Sequence, residues 1–422
     1  MDKEKKLSLR LLAGFGVGVA GALLARKGIL PPEATLAAAR IMGELFLRGI
    51  FMLILPLVVP MLLLGMQRLG STGALGKVGR ATLASVLGLT AISALLGMTL
   101  TAVFQPGTLL SPSLRTQLTE KFGQAPPARP LTSDFLLNLL PKNPFHEVAT
   151  AFTPAQEGGL LSIVVFTILL GIALLHLSED LTRPFYQVLD TLYQASLWLL
   201  LKILYWLGPI GIAGLIFQAV LGLGWEIFRI LGAYAGVVLL GLLLQGAGVY
   251  SLFLRFFAGI SPLRILRSST PALLMAFSSA SSNATLPTTL KVAIDRLGIA
   301  PPIAQFIITL GATVNQNGTA LYEGVTLLFL AQVFGVDLPF GTQVLILALA
   351  MLIAIGAAGV PGGSLPLLAG VLPLVGIPPA AIALIYGIDR FLDMCRTTMN
   401  VYGDLVISTY VNKIYNGNPK NS

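Results

Sequence analysis

Apolar residues run along this chain in long blocks, not in strict alternation. Runs at about residues 7–25, 46–65, 81–104, 159–177, 186–221 and 227–256 each suffice to carry a helix through ~30 Å of hydrocarbon. Blocks of this kind predict transmembrane helices and not the two-residue period of a barrel strand. Pro56 and Pro60 lie inside the second run, which membrane helices tolerate. Residues 105–156 interrupt the pattern with mixed polarity and many prolines, and predict an external segment of short or broken helices.

The last third follows a different rule. Residues 271–294 are too short and too polar at SSASSNATLP for an ordinary span. Residues 303–334 are interrupted by NQNGT at 315–319, and residues 344–375 by GAAGVPGGSLP at 356–366. NATLP closes one tip and GGSLP the other, and a segment rich in polar groups follows each. Such breaks leave helix ends with free N–H and C=O groups. At membrane depth these survive only when buried in protein or lining a polar cavity. Exposed N–H groups at such tips suit an anion, for instance a carboxylate.

Next comes DRFLDMCRTTMNVYGD at 389–404. At ~100° per residue, Asp389, Asp393, Arg396, Asn400 and Asp404 share an arc of roughly 80° on a helix. Residues 382–388 and 406–411 on either side are mostly apolar, which argues against a solvated surface helix. A charge at the bilayer centre costs at least ~2.5–3.5 kcal/mol. Three carboxylates and an arginine on one stripe therefore need a partner, and a charged ligand supplies one.

Composition agrees with this picture. The 422 residues are 55% hydrophobic and 11% charged, against about 25% charged in soluble proteins. The net charge of +9 reads as cytoplasmic loops on a membrane protein and not as a nucleic-acid surface. Lys3, Lys5, Lys6 and Arg10 put the N-terminus in the cytoplasm, Lys77 and Arg80 fit an inside loop, and so do Arg255, Arg264 and Arg267. The expectation is a multi-pass protein of the cell inner (plasma) membrane with both termini cytoplasmic. The lone Cys395 excludes an internal disulfide and reads as a packing residue. His146 and His176 stand in no metal-ligand spacing and no cofactor is expected. They also lie in a loop and at a span end, far from serving Ser364 as the base of an intramembrane protease, so no enzyme is expected. A charged intramembrane site disfavours a purely passive anion channel. Glu323 reads as a helix–helix contact or a coupling acid. Trp198, Trp206 and Trp225 read as interface anchors. Arg40 and Arg48 are expected to snorkel or to pair with Glu44.

Through SSNATLP, GATVNQNGTALYEG, GVPGGSLP and GIDRFLDMCRTTMNVYGD, in that order, the chain resembles the glutamate transporter homologues, the dicarboxylate/amino acid:cation symporter family. The resemblance runs from the second span to Lys413. It implies an all-α integral membrane protein with eight transmembrane helices and two re-entrant hairpins in inverted repeats. An archaeal member of this family is one of the standard examples of inverted-repeat transporters. It further implies a homotrimer in which a transport domain moves as an elevator against a fixed scaffold. The corresponding segments are residues 1–75 (scaffold), 76–104 (transport), 105–225 (external segment and scaffold), 226–258 (transport) and 259–422 (transport core). Carried over residue by residue, Arg396 takes the substrate's side-chain carboxylate, which its planar fork can grip with two bonds. Asp393 holds the amino group. Asn400 and the backbone near Ser281 and Ser282 meet the α-carboxylate, and Thr319, Thr397 and the backbone near Val360 complete the pocket. The implied substrate is aspartate or glutamate. A plain C4-dicarboxylate would be repelled by Asp393, and a neutral amino acid would leave Arg396 unmet.

The departures concern coupling. The family's NMDGT motif reads NQNGT here, so Asn317 replaces an aspartate assigned to sodium and Gln316 replaces a methionine. Alignment through residues 104–107 puts Val86 and Leu89 where tyrosine and threonine are usual, and Ala354 and Ala357 stand where serine and threonine are common. Asp404, Asn400 and Asn315 remain as a residual sodium site. Two explanations compete. One is proton coupling through Asp389, Asp393 or Asp404, since burial raises the proton affinity of a carboxylate. The other is symport with fewer sodium ions. The protons are favoured. The arginine that usually supports Asp393 is also missing, because Ala280 and Met394 occupy its usual positions; Arg390 is expected to point away from the shared face.

Overall fold

The computed structural model describes residues 2–71, 77–111, 115–116, 118, 140–150, 159–223, 226–356 and 364–416. Regular structure among them is entirely helical. The first three helices are α1 (Asp2–Arg26), α2 (Pro32–Phe51) and α3 (Ile54–Ser71). The second apolar run thus divides at Met52–Leu53 instead of forming one helix. Pro56 has no N–H to offer the carbonyl four residues back, so a turn is cheap there. α4 (Lys77–Phe104) ends in a left-handed Gln105, and a short α5 (Pro144–Thr150) precedes α6 (Gly159–Leu175).

The run at 186–221 also divides. α7 (Glu179–Trp206) and α8 (Gly208–Leu223) meet at a 59° bend, with Pro209 in the first turn of α8. α9 (Glu226–Leu244) continues through two π-helical stretches to Ala258 and stops at Gly259, whose φ of 60° suits glycine. By length and composition, four described stretches can cross a membrane: Leu9–Arg26, Thr35–Leu64, Lys77–Leu109 and Glu226–Ala258. The α7–α8 pair makes a fifth if it counts as one span.

The first two interrupted segments break where their polar stretches predict, although the first starts earlier than its apolar pattern. α10 (Pro262–Ser279) turns at Ala280 into α11 (Ser282–Lys291). Ala280 adopts a φ of 49°, which costs a non-glycine residue about 1–2 kcal/mol. Ser281 caps α11 by accepting from the Ala284 N–H at 3.2 Å. α12 (Pro301–Val314) and α13 (Asn317–Phe334) are separated by Asn315 and Gln316, neither of which is helical. α14 (Phe340–Gly356) and α15 (Ser364–Val371) flank residues 357–363, so Ala357 and Val360 lie outside the described residues, as does Trp225. The charged stripe lies in α16 (Tyr386–Asn416), the longest helix described.

Small residues let the helices meet closely. Gly14, Gly18 and Gly21 of α1 lie against Pro209, Ala213 and Phe217 of α8, so these two helices run parallel. Gly97 of α4 sits on the Leu321 carbonyl of α13, and Gly324 of α13 on the Ala94 carbonyl of α4. α10, α12 and α13 pack around α16. Nearly all of α13 is buried, which explains why this helix has no polar face.

Candidate functional site

The α16 stripe is buried as a unit: Asp389, Asp393, Arg396, Asn400 and Asp404 all lie within the protein. Arg396, 2% exposed, is at its centre. Its Nε donates to Asp393 Oδ1 at 2.9 Å, and its Nη1 lies 3.3 Å from Asp389 Oδ1. The guanidinium carbon stands 4.2 Å from the centre of the Tyr322 ring. Tyr322 in turn donates its hydroxyl to Asp389 Oδ1 at 2.7 Å. The arginine is thus held on one side by two carboxylates and on the other by an aromatic face.

Arg390 does not point away. It is buried, and its Nη1 lies 3.5 Å from Asp393 Oδ2. Residue 390 stands only ~60° from residue 393 around the helix, an arc that a long arginine side chain crosses easily. Two guanidiniums and two carboxylates therefore balance inside the protein. The stripe meets much of its charge within itself as well as offering it to a ligand.

One turn on, Asn400 is saturated. Its Oδ1 accepts from the N–H groups of Gly318 at 2.7 Å and Thr319 at 3.4 Å. Its Nδ2 donates to Thr319 Oγ1 at 3.1 Å and to Gln316 Oε1. The break between α12 and α13 supplies these groups, because the first N–H groups of α13 have no intrahelical acceptor. Beyond it, Asp404 Oδ1 accepts from Asn315 Nδ2 at 2.8 Å. Asn315 Oδ1 has no hydrogen-bond partner among the described residues.

Asn317 occupies its own niche. Thr90 Oγ1 lies 2.8 Å from Asn317 Oδ1, and Asn317 Nδ2 donates to the Tyr250 hydroxyl at 3.1 Å. Val86 and Leu89 are buried in apolar packing, so Thr90 is the α4 side chain that meets Asn317.

The structure thus brings Arg396, Asp393 and Asp389 together, joins Asn400 to Thr319, and joins Asn315 to Asp404. Ser281 and Ser282 are buried at the α10–α11 tip, and Thr397 is buried on α16. Ala354, near the C-terminal end of α14, is buried among alanines. Tyr322, Thr90 and Tyr250 are the contributors that sequence reasoning missed. Tyr322 stands in the TALYEG motif one turn past Thr319, and Thr90 is one residue from the position that was considered. Glu323 is fully buried, and neither of its carboxyl oxygens has a hydrogen-bond partner among the described residues, so the helix–helix contact reading lacks its bond. Elsewhere Arg48 pairs with Glu44 at 2.6 Å, and Trp198 and Trp206 are exposed on α7. No cluster of three or more His, Cys, Asp or Glu residues suited to a metal occurs among the described residues.

Residues 5–414 match the model of the sodium:dicarboxylate symporter family. The chain is 33% identical to the neutral amino acid transporter B(0) of Oryctolagus cuniculus, covering 93% of this chain and 75% of that protein. It is 29% identical to the proton/glutamate-aspartate symporter of Escherichia coli, over 88% of this chain and 85% of the relative. The proton/sodium-glutamate symport protein of Bacillus subtilis gives the same figures. These relatives are transporters and not enzymes, and the match spans the buried stripe and the helices packed around it: this chain belongs to the sodium:dicarboxylate symporter family.

Proposed function

We propose that this protein is a secondary active transporter for acidic amino acids, aspartate or glutamate, driven by protons. The observation that carries the reading is the pairing of Arg396 with Asp393 at 2.9 Å inside the membrane domain. An acidic amino acid presents a side-chain carboxylate and an ammonium, and this pair offers the complement of each. A neutral amino acid would bring Arg396 no side-chain carboxylate, and a plain dicarboxylate would bring Asp393 no ammonium. The names of the Escherichia coli and Bacillus subtilis relatives favour the same substrate class.

Two features support protons. Asn317 brings no negative charge to its niche, and Thr90 and Tyr250 already engage its amide. Glu323 is a buried carboxyl without a hydrogen-bond partner among the described residues. An uncompensated buried carboxylate costs several kcal/mol, and a proton removes that cost. Glu323 is therefore the favoured proton carrier, with Asp404, whose carboxyl has no arginine partner among the described residues, as the second; Asp389 and Asp393 already have arginine partners. A second reading, symport with sodium, rests on one observation: Asn315 Oδ1, beside Asp404, has no hydrogen-bond partner among the described residues. These two residues would offer a cation oxygens, whereas the Asn400 side-chain oxygen is already engaged by the Gly318 and Thr319 N–H groups.

The reading includes a homotrimer in the bilayer, eight spans with two re-entrant hairpins, and elevator motion of α4, α9 and α10–α16 against α1–α3 and α6–α8. The test is uptake of labelled aspartate by proteoliposomes with sodium and proton gradients imposed separately at a clamped potential. Uptake in sodium-free buffer driven by the proton gradient is the expected result. Uptake that disappears without sodium at constant pH would overturn proton coupling.

A further inference from the structure

The Asp393 carboxylate is held at both oxygens by different arginines. Arg396 Nε takes Oδ1 at 2.9 Å, and Arg390 Nη1 stands 3.5 Å from Oδ2. Both guanidiniums and the carboxylate are buried, with side chains 2–6% exposed. Arg396 also faces Asp389 and the Tyr322 ring. It is the arm that must turn to an incoming carboxylate, and Asp393 then loses its closer counter-ion. Arg390 approaches the opposite oxygen and leaves Oδ1 for the substrate's ammonium.

We propose that Arg390 is the positioning residue for Asp393. It holds the carboxylate oriented while Arg396 changes partners, so that Oδ1 is ready for the ammonium as it arrives. This rests on the acidic amino acid reading above. A carboxylate anchored through one oxygen keeps its direction, whereas an unanchored one would rotate toward Arg396 and compete with the substrate for it. Neither Ala280 at the α10–α11 tip nor Met394 beside Asp393 supplies a charge, so Arg390 is the described arginine other than Arg396 that reaches this acid.

The experiment measures aspartate uptake in proteoliposomes for the wild type, Arg390→Ala, Arg390→Lys and the relocated pair Arg390→Ala with Met394→Arg. The expected result for Arg390→Ala is a rise of about tenfold in the KM for aspartate with a maximal rate per folded protein within about twofold of the wild type. Arg390→Lys restores most of the affinity, and the relocated arginine restores part of it. A merely structural arginine would lower the folded yield and the maximal rate without moving KM, and a charge at 394 would not rescue it. An unchanged KM in Arg390→Ala, or a loss that neither lysine nor the relocated arginine repairs, overturns the proposal. Should Arg390→Ala fail to fold, Arg390→Lys and Arg390→Gln decide the matter: KM near wild type for lysine and about tenfold higher for glutamine supports it, and equal values overturn it. A wild-type protein that takes up no acidic amino acid would overturn the functional reading and this proposal together, whereas normal wild-type uptake with an unaltered variant overturns this one alone.

Discussion

Thr90 and Asn317, 227 positions apart in the chain, meet through a 2.8 Å hydrogen bond in the buried interior. Thr90 Oγ1 also lies 2.6 Å from the Val86 carbonyl, so its proton is shared along α4. On the far side of the amide is Tyr250, whose hydroxyl donates to the Met399 carbonyl at 3.3 Å. The niche is thus a chain of neutral hydrogen bonds linking α4, α13, the π-helical stretch after α9 and α16. A neutral amide closes this chain without a cation.

Asn317→Asp would place a carboxylate between the Thr90 and Tyr250 oxygens. The expected outcome is a new sodium dependence: thermal unfolding of the purified variant shifts upward in sodium relative to potassium, while the wild type does not respond at this niche. Asn317→Ala removes bonds without adding charge and should destabilise by about 1–3 kcal/mol in either salt.

Arg396→Lys retains the charge but loses the planar fork and the stacking on Tyr322. The apparent affinity for aspartate should fall about 10- to 100-fold, measured as the KM of uptake. An unchanged affinity would show that a point charge suffices and that Arg396 does not grip the side-chain carboxylate.

Glu323→Gln keeps the shape of the buried side chain and removes its ability to carry a proton. Net uptake driven by a proton gradient should drop to near background. Exchange of internal unlabelled for external labelled aspartate should persist, because exchange does not require the empty carrier to return. Gradient-driven uptake at wild-type rates would move the coupling role to another acid.

Tyr322→Phe keeps the ring under Arg396 and deletes the 2.7 Å bond to Asp389. A loss of about 1–3 kcal/mol is expected from the buried acceptor left without this donor, read from chemical unfolding in detergent. Tyr322→Leu should cost more, since the cation–π contact goes as well.

Gly311→Ala tests the crowding at Asp404. A Cβ at residue 311 would overlap the Asp404 carboxyl group. The expected result is a loss of about 1–3 kcal/mol in stability as Asp404 is pushed off Asn315. Sodium-dependent uptake, if any, should disappear with it.

The membrane-helical class, the polar tip between α10 and α11, the break at 315–316 and the buried stripe of α16 were all legible in the amino-acid sequence. Each follows from a periodicity or a composition that acts locally, such as a run of apolar side chains, a helix-breaking tip, or residues three and four apart on one helix face. Helix breaks at Met52–Leu53 and Leu207 were not legible, because prolines inside apolar runs are tolerated in some packings and exploited in others. Which side chains meet was decided only by the tertiary structure. Arg390 looked misplaced on a helical wheel because the wheel records where Cβ points and not how far an arginine reaches. Thr90 and Tyr250 became partners of Asn317 because three helices far apart in the chain converge on it, and no local pattern encodes that convergence. The sequence by itself determined that charge had to be buried in a membrane helix, and the packing of α13 and the neighbouring side chains on α16 decided how that charge is balanced.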